Sequence, residues 1–309
     1  MWSNSSIWPE GRLPAEGENV TIPAEWQLFM DVNPPKMDQF IISGTLVISE
    51  DIGDVLIEAN NIWVQGKLKA GNSSSPFSSK LTIKIYGNKS DRGIVIDEFE
   101  TGNKLIAVTG LLALYGQSPG TVWTKLRSPA MKDAESITVD GASGWSEGDQ
   151  LVIGSSFSNP SQTEYVTITS VSSNQIQFTP ALKYDHYGAT SWSEVDYRTP
   201  VGHLTRNIKI TTGDDEGWGY RILTYGYVEC NSEKYGQIVL NGVEMENGGQ
   251  YDSAKIPAVH IKYLFESTAR TEIVQSSIHH CRSKCIIIDQ VKNVKINNNV
   301  IASAKNNHI

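Results

Sequence analysis

The chain is built from short runs in which hydrophobic and polar residues alternate. Leu46-Val47-Ile48 and the run from Leu81 to Tyr86 are typical. A Gly-x-Leu motif accompanies these runs. It occurs at Gly44, returns 22 residues later at Gly66, and returns 44 residues after that at Gly110. A repeat of about 22 residues, made of strands too short to form a core alone, predicts a solenoid of stacked parallel coils. We therefore expect the 44-residue step to contain two coils.

The pattern changes between residues 125 and 187. Four runs with period-two alternation lie there, about a dozen residues apart, and polar turns such as Gly144 to Asp149 separate them. This spacing predicts antiparallel hairpins. The fold class is therefore all-β, with a capped parallel β-helix over residues 1–124 and a small antiparallel β-barrel or sandwich inserted over 125–187. The β-helix continues over 188–309, and we expect it to be truncated at its C-terminal end.

Composition narrows the class of protein. The chain has 309 residues, of which 39% are hydrophobic and 19% charged, as expected for a globular protein. A formal net charge of −8 argues against a nucleic-acid partner. No apolar run reaches the length of about 18 residues that would cross a bilayer.

Two further features bear on the cellular compartment. Three cysteines are too few for a disulfide-built fold. Cys281 and Cys285 are close enough to pair across a bend, or they are free thiols in a core. Four Asn-x-Ser/Thr sites, which are acceptors for glycans in extracellular proteins, lie at Asn4, Asn19, Asn72 and Asn88.

Histidines are the first candidates for chemistry. Coil stacking brings equivalent positions to about 5 Å, so imidazoles of neighbouring coils can converge on a metal. His260 and His280 are the candidate metal ligands, and His308 belongs to the same histidine-rich part of the chain. The alternative is that His279 and His280 are residues of a coil bend, with one side chain pointing in and the other out.

Carboxylates and aromatic rings are the second group of candidates. Glycoside hydrolysis needs two carboxyl groups about 5–10 Å apart. Asp252 and Asp289 lie in the later coils, and His260 and His279 complete the candidate catalytic set. The alternative is that these acidic residues are solvated. Trp218 and Tyr220 lie in one loop and would suit sugar binding if exposed, or would fill a core if buried.

Several motifs, taken in order, resemble the extracellular eight-glycine domain of fibrocystin, fibrocystin-like proteins and the cell-surface or secreted hyaluronan-depolymerising proteins. Further segments resemble those that follow this domain in fibrocystin-like proteins. The motifs are Trp8-Pro9-x-Gly11, Gly17-x-Asn19-Val20-x-Ile22-Pro23, Gly44-x-Leu46, Gly66-x-Leu68, Trp145-x-Glu147-Gly148-Asp149, Leu204-Thr205-Arg206-Asn207-Ile208 and Ser277-Ile278-His279-His280.

The resemblance implies a secreted or membrane-tethered ectodomain with right-handed parallel β-helix repeats, at the cell surface or outside the cell. It does not imply one function. The hyaluronan-depolymerising relatives carry a His-x-His pair where this chain has His260-Ile261-Lys262. A protonated lysine is a poor metal ligand, which argues against metal-assisted catalysis at that pair.

Three hypotheses follow. The first is a non-enzymatic extracellular module that presents loops to a protein or glycan partner, with no cofactor. The second is binding or depolymerisation of a hyaluronan-like polysaccharide, in which Ca²⁺ or Zn²⁺ would assist. The third is a structural unit that assembles end to end with further coils of its parent chain or with copies of itself.

Overall fold

The computed structural model describes residues 1–96, 99–189, 195–214, 217–229, 232–251, 256–264 and 269–304. Short 3-10 helices lie at Ser5–Ile7, Pro9–Gly11, Glu50–Ile52 and Pro160–Gln162, and no helix in these ranges has the length and apolar character needed to cross a membrane. The strands are β1 (Val20–Ile22), β2 (Gln27–Met30), β3 (Met37–Ile42), β4 (Thr45–Ile48), β5 (Val55–Val64), β6 (Lys67–Ala70), β7 (Leu81–Ile85), β8 (Val95–Ile96), β9 (Phe99–Glu100), β10 (Leu105–Val108), β11 (Leu111–Tyr115), β12 (Trp123–Lys125), β13 (Ser136–Thr138), β14 (Gln150–Ile153), β15 (Glu164–Ser172), β16 (Gln175–Thr179), β17 (Pro200–His203), β18 (Ile208–Thr212), β19 (Arg221–Glu229), β20 (Ser232–Tyr235), β21 (Gln237–Asn241), β22 (Val243–Glu246), β23 (Val259–Leu264), β24 (Thr271–Val274), β25 (Ser277–Cys281), β26 (Ile286–Val291), β27 (Val294–Asn297) and β28 (Val300–Ala304).

Three faces of parallel strands form a β-helix. Face I contains β1, β3, β5, β10, β19, β23 and β26, and face II contains β2, β4, β6, β11, β21, β24 and β27. Face III contains β5, β7, β18, β22, β25 and β28. Strand β5 belongs to two faces, because residues 55–59 pair with β7 and residues 62–64 pair with β10. The predicted parallel β-helix is confirmed.

Glycine explains how closely the coils stack. A Cβ on Gly66 would lie 2.0 Å from the carbonyl oxygen of Gly44, and one on Gly110 would lie 2.1 Å from that of Gly66. Only glycine fits where backbones of successive coils approach this closely. Leu111 pairs directly with Lys67, so the expectation of two coils between Gly66 and Gly110 is wrong. That step is one coil, whose extra residues form a loop carrying the β8–β9 hairpin.

Aromatic side chains close the N-terminal end of the helix. Trp2 and Trp8 are buried, with ring centroids 4.8 Å apart, and the Trp8 indole N–H donates to the carbonyl of Trp2 at 2.9 Å. Trp2 also packs edge-on against Phe40 of β3. These rings cover the first coil, as a solenoid cap must.

The inserted unit is a small antiparallel barrel with its own apolar core. Its strands follow the order β12-β17-β14-β15-β16-β13, and a bridge between Leu126 and Val139 joins the two end strands. The predicted boundary at residue 187 is too early, because β17 pairs with both β12 and β14. The sequence of β17, Pro-Val-Gly-His, carries one proline, one glycine and no apolar alternation, so periodicity did not reveal it.

Candidate functional site

The barrel covers the outer side of face III, where polar side chains are buried. Lys209, Glu244, Glu246 and His279 all point away from the helix interior, because their neighbours along each strand belong to the apolar core. Glu244 is 4% exposed and His279 is fully buried. A polar layer therefore lies between two hydrophobic cores, and it must satisfy its charges internally.

Strand register brings the acidic and imidazole groups together. Lys209 pairs with Glu244 across β18 and β22, and Glu246 pairs with His279 across β22 and β25. His280 has a φ of 52°, in the left-handed region. Its ring therefore does not follow the alternation of the strand and lies beside that of His279, with centroids 4.9 Å apart.

Lys209 holds both carboxylates. Its ammonium nitrogen lies 2.7 Å from Glu244 Oε1 and 2.8 Å from Glu246 Oε2. The interaction with His280 lowers the pKa of Glu246 to about 2, with Lys209 adding to the effect against the opposing effect of burial. Burial raises the pKa of Glu244, but His279 and Lys209 outweigh it and the net pKa is lowered. Both carboxylates are therefore ionised at neutral pH.

The two histidines contact each other through equivalent ring nitrogens. The Nδ1 atoms of His279 and His280 lie 2.8 Å apart. His280 Nδ1 lies 3.7 Å from Glu246 Oε1, and His279 Nε2 lies 3.4 Å from Glu244 Oε1. One ligand atom from each of Glu246, His279 and His280 falls within 4.8 Å of the others. This is a possible set of metal ligands of the kind that zinc prefers.

The barrel adds a second chain of contacts. Asp149 Oδ2 lies 2.9 Å from His203 Nε2, and His203 Nδ1 accepts from the Arg206 guanidinium at 2.9 Å. The Arg206 backbone N–H donates to Glu244 Oε2 at 3.1 Å. Burial lowers the pKa of His203 and lowers that of Arg206 to about 10. The barrel and face III thus share one polar network.

His260 lies elsewhere, on the outer side of face I. Its Nδ1 accepts from Arg221 at 3.1 Å. Burial, together with the positive charges of Arg221 and Lys262, lowers the pKa of His260 to about 4. The interpretation of His260 and His280 as ligands of one metal is therefore wrong, because β23 belongs to face I and β25 to face III.

The other candidate catalytic residues do not complete a site around His260. Asp289 is half-buried, and its register partner is Lys262. Asp252 and His308 lie outside the described residues. Of the catalytic candidates that the structure describes, His260, His279 and Asp289, only His279 enters the network under the barrel.

The Trp218–Tyr220 loop is packed into the protein. Tyr220 is fully buried in the main core, so its interpretation as a sugar-binding residue is wrong. Trp218 is 9% exposed, and its indole N–H donates to Asn103 Oδ1 at 2.9 Å. Its hydrogen bond and burial leave little ring surface for a ligand. The spacing of the loop could not reveal this, because the partner side chains come from a different coil.

The remaining predicted sites lie at the surface or in turns. Cys281 and Cys285 are joined by a disulfide at the turn from β25 to β26. The side chains of three glycosylation acceptors are exposed and that of Asn88 is half-buried; their glycosylation stays a prediction. The exposed acceptors are Asn4, Asn19 and Asn72.

A groove of about 810 Å³ runs between the barrel and β28. Its described lining holds no charged side chain. Trp123 is 48% exposed there, and the Tyr165 ring packs on His280 with centroids 4.5 Å apart. Hydroxyl and amide side chains complete the wall. They are Ser161, Thr163, Asn299 and Ser303.

Sequence reasoning missed Lys209, Glu244 and Glu246. Each occupies a polar position in an alternating run, which is typical of a solvated outer face. One signal in the sequence was available. Glu244 and Glu246 are two negative charges on the same side of β22, and the histidine pair lies on β25, the strand that pairs with it. Their burial depends on the barrel, whose contact with face III cannot be read from local pattern.

Two family models match the chain. The G8 domain matches residues 7–127, and the CEMIP beta-helix matches residues 226–305. Human fibrocystin-L is 26% identical over 97% of this chain and 8% of its own length. Fibrocystin of Canis lupus familiaris is 27% identical over 94% of this chain and 7% of its own length. The chain thus spans less than a tenth of either relative.

Among solved structures, the chain is similar to the Gp54 tailspike of the Acinetobacter baumannii bacteriophage AP22 in complex with A. baumannii capsular saccharide. It aligns with 82% of this chain and 41% of its own, at 13% identity and a TM-score of 0.29. The resemblance drawn from the glycine motifs is confirmed by the family models and the relatives. The chain therefore contains a G8 domain over residues 7–127 and a CEMIP-type β-helix over residues 226–305, and fibrocystin and fibrocystin-L are among its relatives.

Proposed function

We propose that this chain is a non-enzymatic extracellular module, a stiff β-helix that binds an uncharged glycan in the groove between the barrel and β28. The observation that carries the proposal is the exposed ring of Trp123 in a groove whose described lining is uncharged. The disulfide between Cys281 and Cys285 supports an oxidising compartment, and the fibrocystin relatives support an ectodomain.

The chemistry of the groove fits a neutral sugar chain. An exposed tryptophan offers a flat apolar face for a sugar ring, while hydroxyl and amide groups can replace hydrogen bonds to water. A polyanion such as hyaluronan would need cationic partners for its carboxylates. The described lining supplies none.

Hyaluronan depolymerisation is the rival function, and the histidine cluster and the matching CEMIP beta-helix model favour it. Glycoside hydrolysis needs one carboxyl group that is protonated when it acts. The pKa of Glu246 is lowered to about 2 and that of Glu244 is also lowered, so both are ionised at neutral pH. This argues against the pair as an acid and base of hydrolysis.

Calorimetric titration with neutral and hyaluronan oligosaccharides tests the proposal. The neutral panel contains oligomers of N-acetylglucosamine, mannose and galactose. We expect saturable binding of at least one neutral oligomer, lost in Trp123→Ala and retained in Tyr197→Ala, which changes an exposed aromatic residue outside the described lining of the groove. Binding that survives Trp123→Ala would contradict the proposal that the glycan binds in this groove.

A second assay addresses catalysis directly. Size-defined hyaluronan is incubated with the protein, with and without Ca²⁺ or Zn²⁺, and chain length is followed. We expect no shortening under any condition. Shortening of hyaluronan by the wild type that disappears in His279→Ala would show that the protein is an enzyme, and would contradict the proposed binding module.

A separate observation, the exposure of apolar side chains on the last described coil, supports end-to-end assembly. Ile288, Ile296 and Ile301 occupy the register positions of buried residues in the preceding coil, yet are 48%, 36% and 51% exposed. Further coils of the parent chain, or a second copy stacked on this coil, would bury them. If copies stack, sedimentation should show concentration-dependent association that Ile288→Asp weakens, and a strict monomer would exclude stacking of copies.

A further inference from the structure

We propose that Glu246, His279 and His280 form a binding site for a divalent transition metal, Zn²⁺ in the first instance, at the edge of the interface between the barrel and face III. The two histidines come from one strand and the carboxylate from the strand stacked beneath it. The site does not involve His260. It adjoins the glycan groove, because the Tyr165 ring of the groove packs on His280, but none of its three ligands lines the groove.

Backbone geometry is what allows adjacent histidines to serve one ion. In a regular strand, residues 279 and 280 would point to opposite sides. The left-handed φ of His280 changes this, and it is not isolated, since Asn247 and Ser303 have φ values of 61° and 54°. Each of these three residues directly follows one of the paired residues Glu246, His279 and Ala302. They therefore lie one above another in successive coils.

The distances are close to those of a coordination shell. Zinc binds nitrogen and oxygen at about 2.0–2.1 Å in tetrahedral geometry, which places ligand atoms roughly 3.3–3.5 Å apart. The Nδ1–Nδ1 distance is 2.8 Å and the distance from His280 Nδ1 to Glu246 Oε1 is 3.7 Å. Side-chain rotations that move these atoms by a few tenths of an ångström would admit the ion.

The buried carboxylate of Glu244 lies next to the proposed ligand His279, on the side of its Nε2 atom. His279 Nε2 is buried without a hydrogen bond of its own, and Glu244 Oε1 lies 3.4 Å away. With the metal on Nδ1, the proton of the ring is on Nε2 and faces this carboxylate. Such an outer partner orients a ligating histidine and strengthens it as a donor. Lys209 fixes Glu244 in turn, at 2.7 Å.

Charge and access also favour a cation. The polar network holds three carboxylates, of Asp149, Glu244 and Glu246, and two permanent cations, Lys209 and Arg206. With neutral histidines, these five groups carry a net charge of −1. The His279 side chain is 0% exposed but that of His280 is 37% exposed, so an ion can enter from the His280 side.

Zn²⁺ titration of the full chain by calorimetry tests the site. We expect one equivalent to bind, and His280→Ala to weaken binding by about 100-fold or more, since even outer-sphere changes cost 10–100-fold. Glu246→Gln should weaken it too. The matched control is His260→Ala, a histidine on the other face, which should bind as the wild type does; Trp123→Ala should also leave Zn²⁺ affinity unchanged.

Co²⁺ absorption provides a readout that a structural role would not move. A site of two imidazoles and a carboxylate should give intense visible bands typical of tetrahedral Co²⁺, and Zn²⁺ should displace them. Circular dichroism checks that His280→Ala and Glu246→Gln are folded. Absence of saturable binding in the wild type, or undiminished binding in both folded variants, would overturn the site.

Discussion

The outer sides of faces I and III are both covered, but by different chemistry. On face I, the β8–β9 loop packs Ile94 and Ile96 against outward residues of β10 and β19, such as Leu223. On face III, the barrel covers Glu244 and His279. The inward sides of both faces are apolar alike. What lies over a β-helix, and not the coil repeat, therefore determines where a charged site can form.

The largest expected effect is on face III, in Glu244→Ala. Removing this carboxylate leaves the charge of Lys209 partly uncompensated and takes an acceptor from the backbone of Arg206. Breaking a buried pair by removing one partner costs about 3–5 kcal/mol. Urea denaturation should show a loss near the lower value, because Glu246 still holds Lys209. A loss below about 1 kcal/mol would mean that the network is solvated.

The corresponding change on face I is Leu223→Ala. Leu223 is 1% exposed in the apolar cluster under the hairpin. Truncating a buried leucine removes transfer energy and leaves a cavity, and we expect about 2–3 kcal/mol by denaturation. Leu223→Met should cost less than about 1.5 kcal/mol. Zn²⁺ affinity should not change in either variant, and a change would show that the two outer sides are coupled.

A smaller effect is expected where the barrel touches the last described coil. A Cβ on Gly202 would lie 2.6 Å from Val300 Cγ1, a stiff β-branched side chain. Overpacking of this kind costs about 1–3 kcal/mol, and we expect Gly202→Ala to fall near 1. In Val300→Ala the same glycine change should cost less. If the losses in unfolding free energy from the two substitutions were additive in the double mutant, positions 202 and 300 would not be in contact.

The effect that is smallest at neutral pH, and grows as the pH falls, is a pH dependence on face I. The pKa of His260 is lowered from 6.5 to about 4, so its neutral form is the one favoured in the folded state. Above pH 6.5 neither state binds a proton there. As the pH falls from 6.5 towards 4, the unfolded chain binds one first and stability decreases. His260→Ala should make this decrease shallower, and an unchanged profile would contradict the assignment.

The parts of the fold that local pattern controls were predictable. Gly44, Gly66 and Gly110 mark positions where a backbone oxygen of the preceding coil occupies the space of a Cβ. The step from Gly66 to Gly110 was expected to contain two coils, because a repeat of 22 divides 44 whether or not a second coil is present. Only the direct pairing of Leu111 with Lys67 decides between them.

The site was less predictable, because it depends on long-range contacts. One interpretation of His279 and His280 placed one side chain in and the other out, as in a regular strand, and it is wrong. The left-handed φ of His280 brings the rings together, and histidine tolerates that conformation better than most residues. Glu244 gains its importance from Arg206, which lies 38 residues earlier, after the last barrel strand.

Native-state hydrogen exchange of the full chain tests most directly whether barrel and face III form one unit around the polar network. Amides of β14 in the barrel and of β22 and β25 in face III should open with the same free energy, close to that of global unfolding. Glu244→Ala should lower all three together. Opening of β14 at a free energy several kcal/mol below that of β22, with no response to Glu244→Ala, would contradict a shared network.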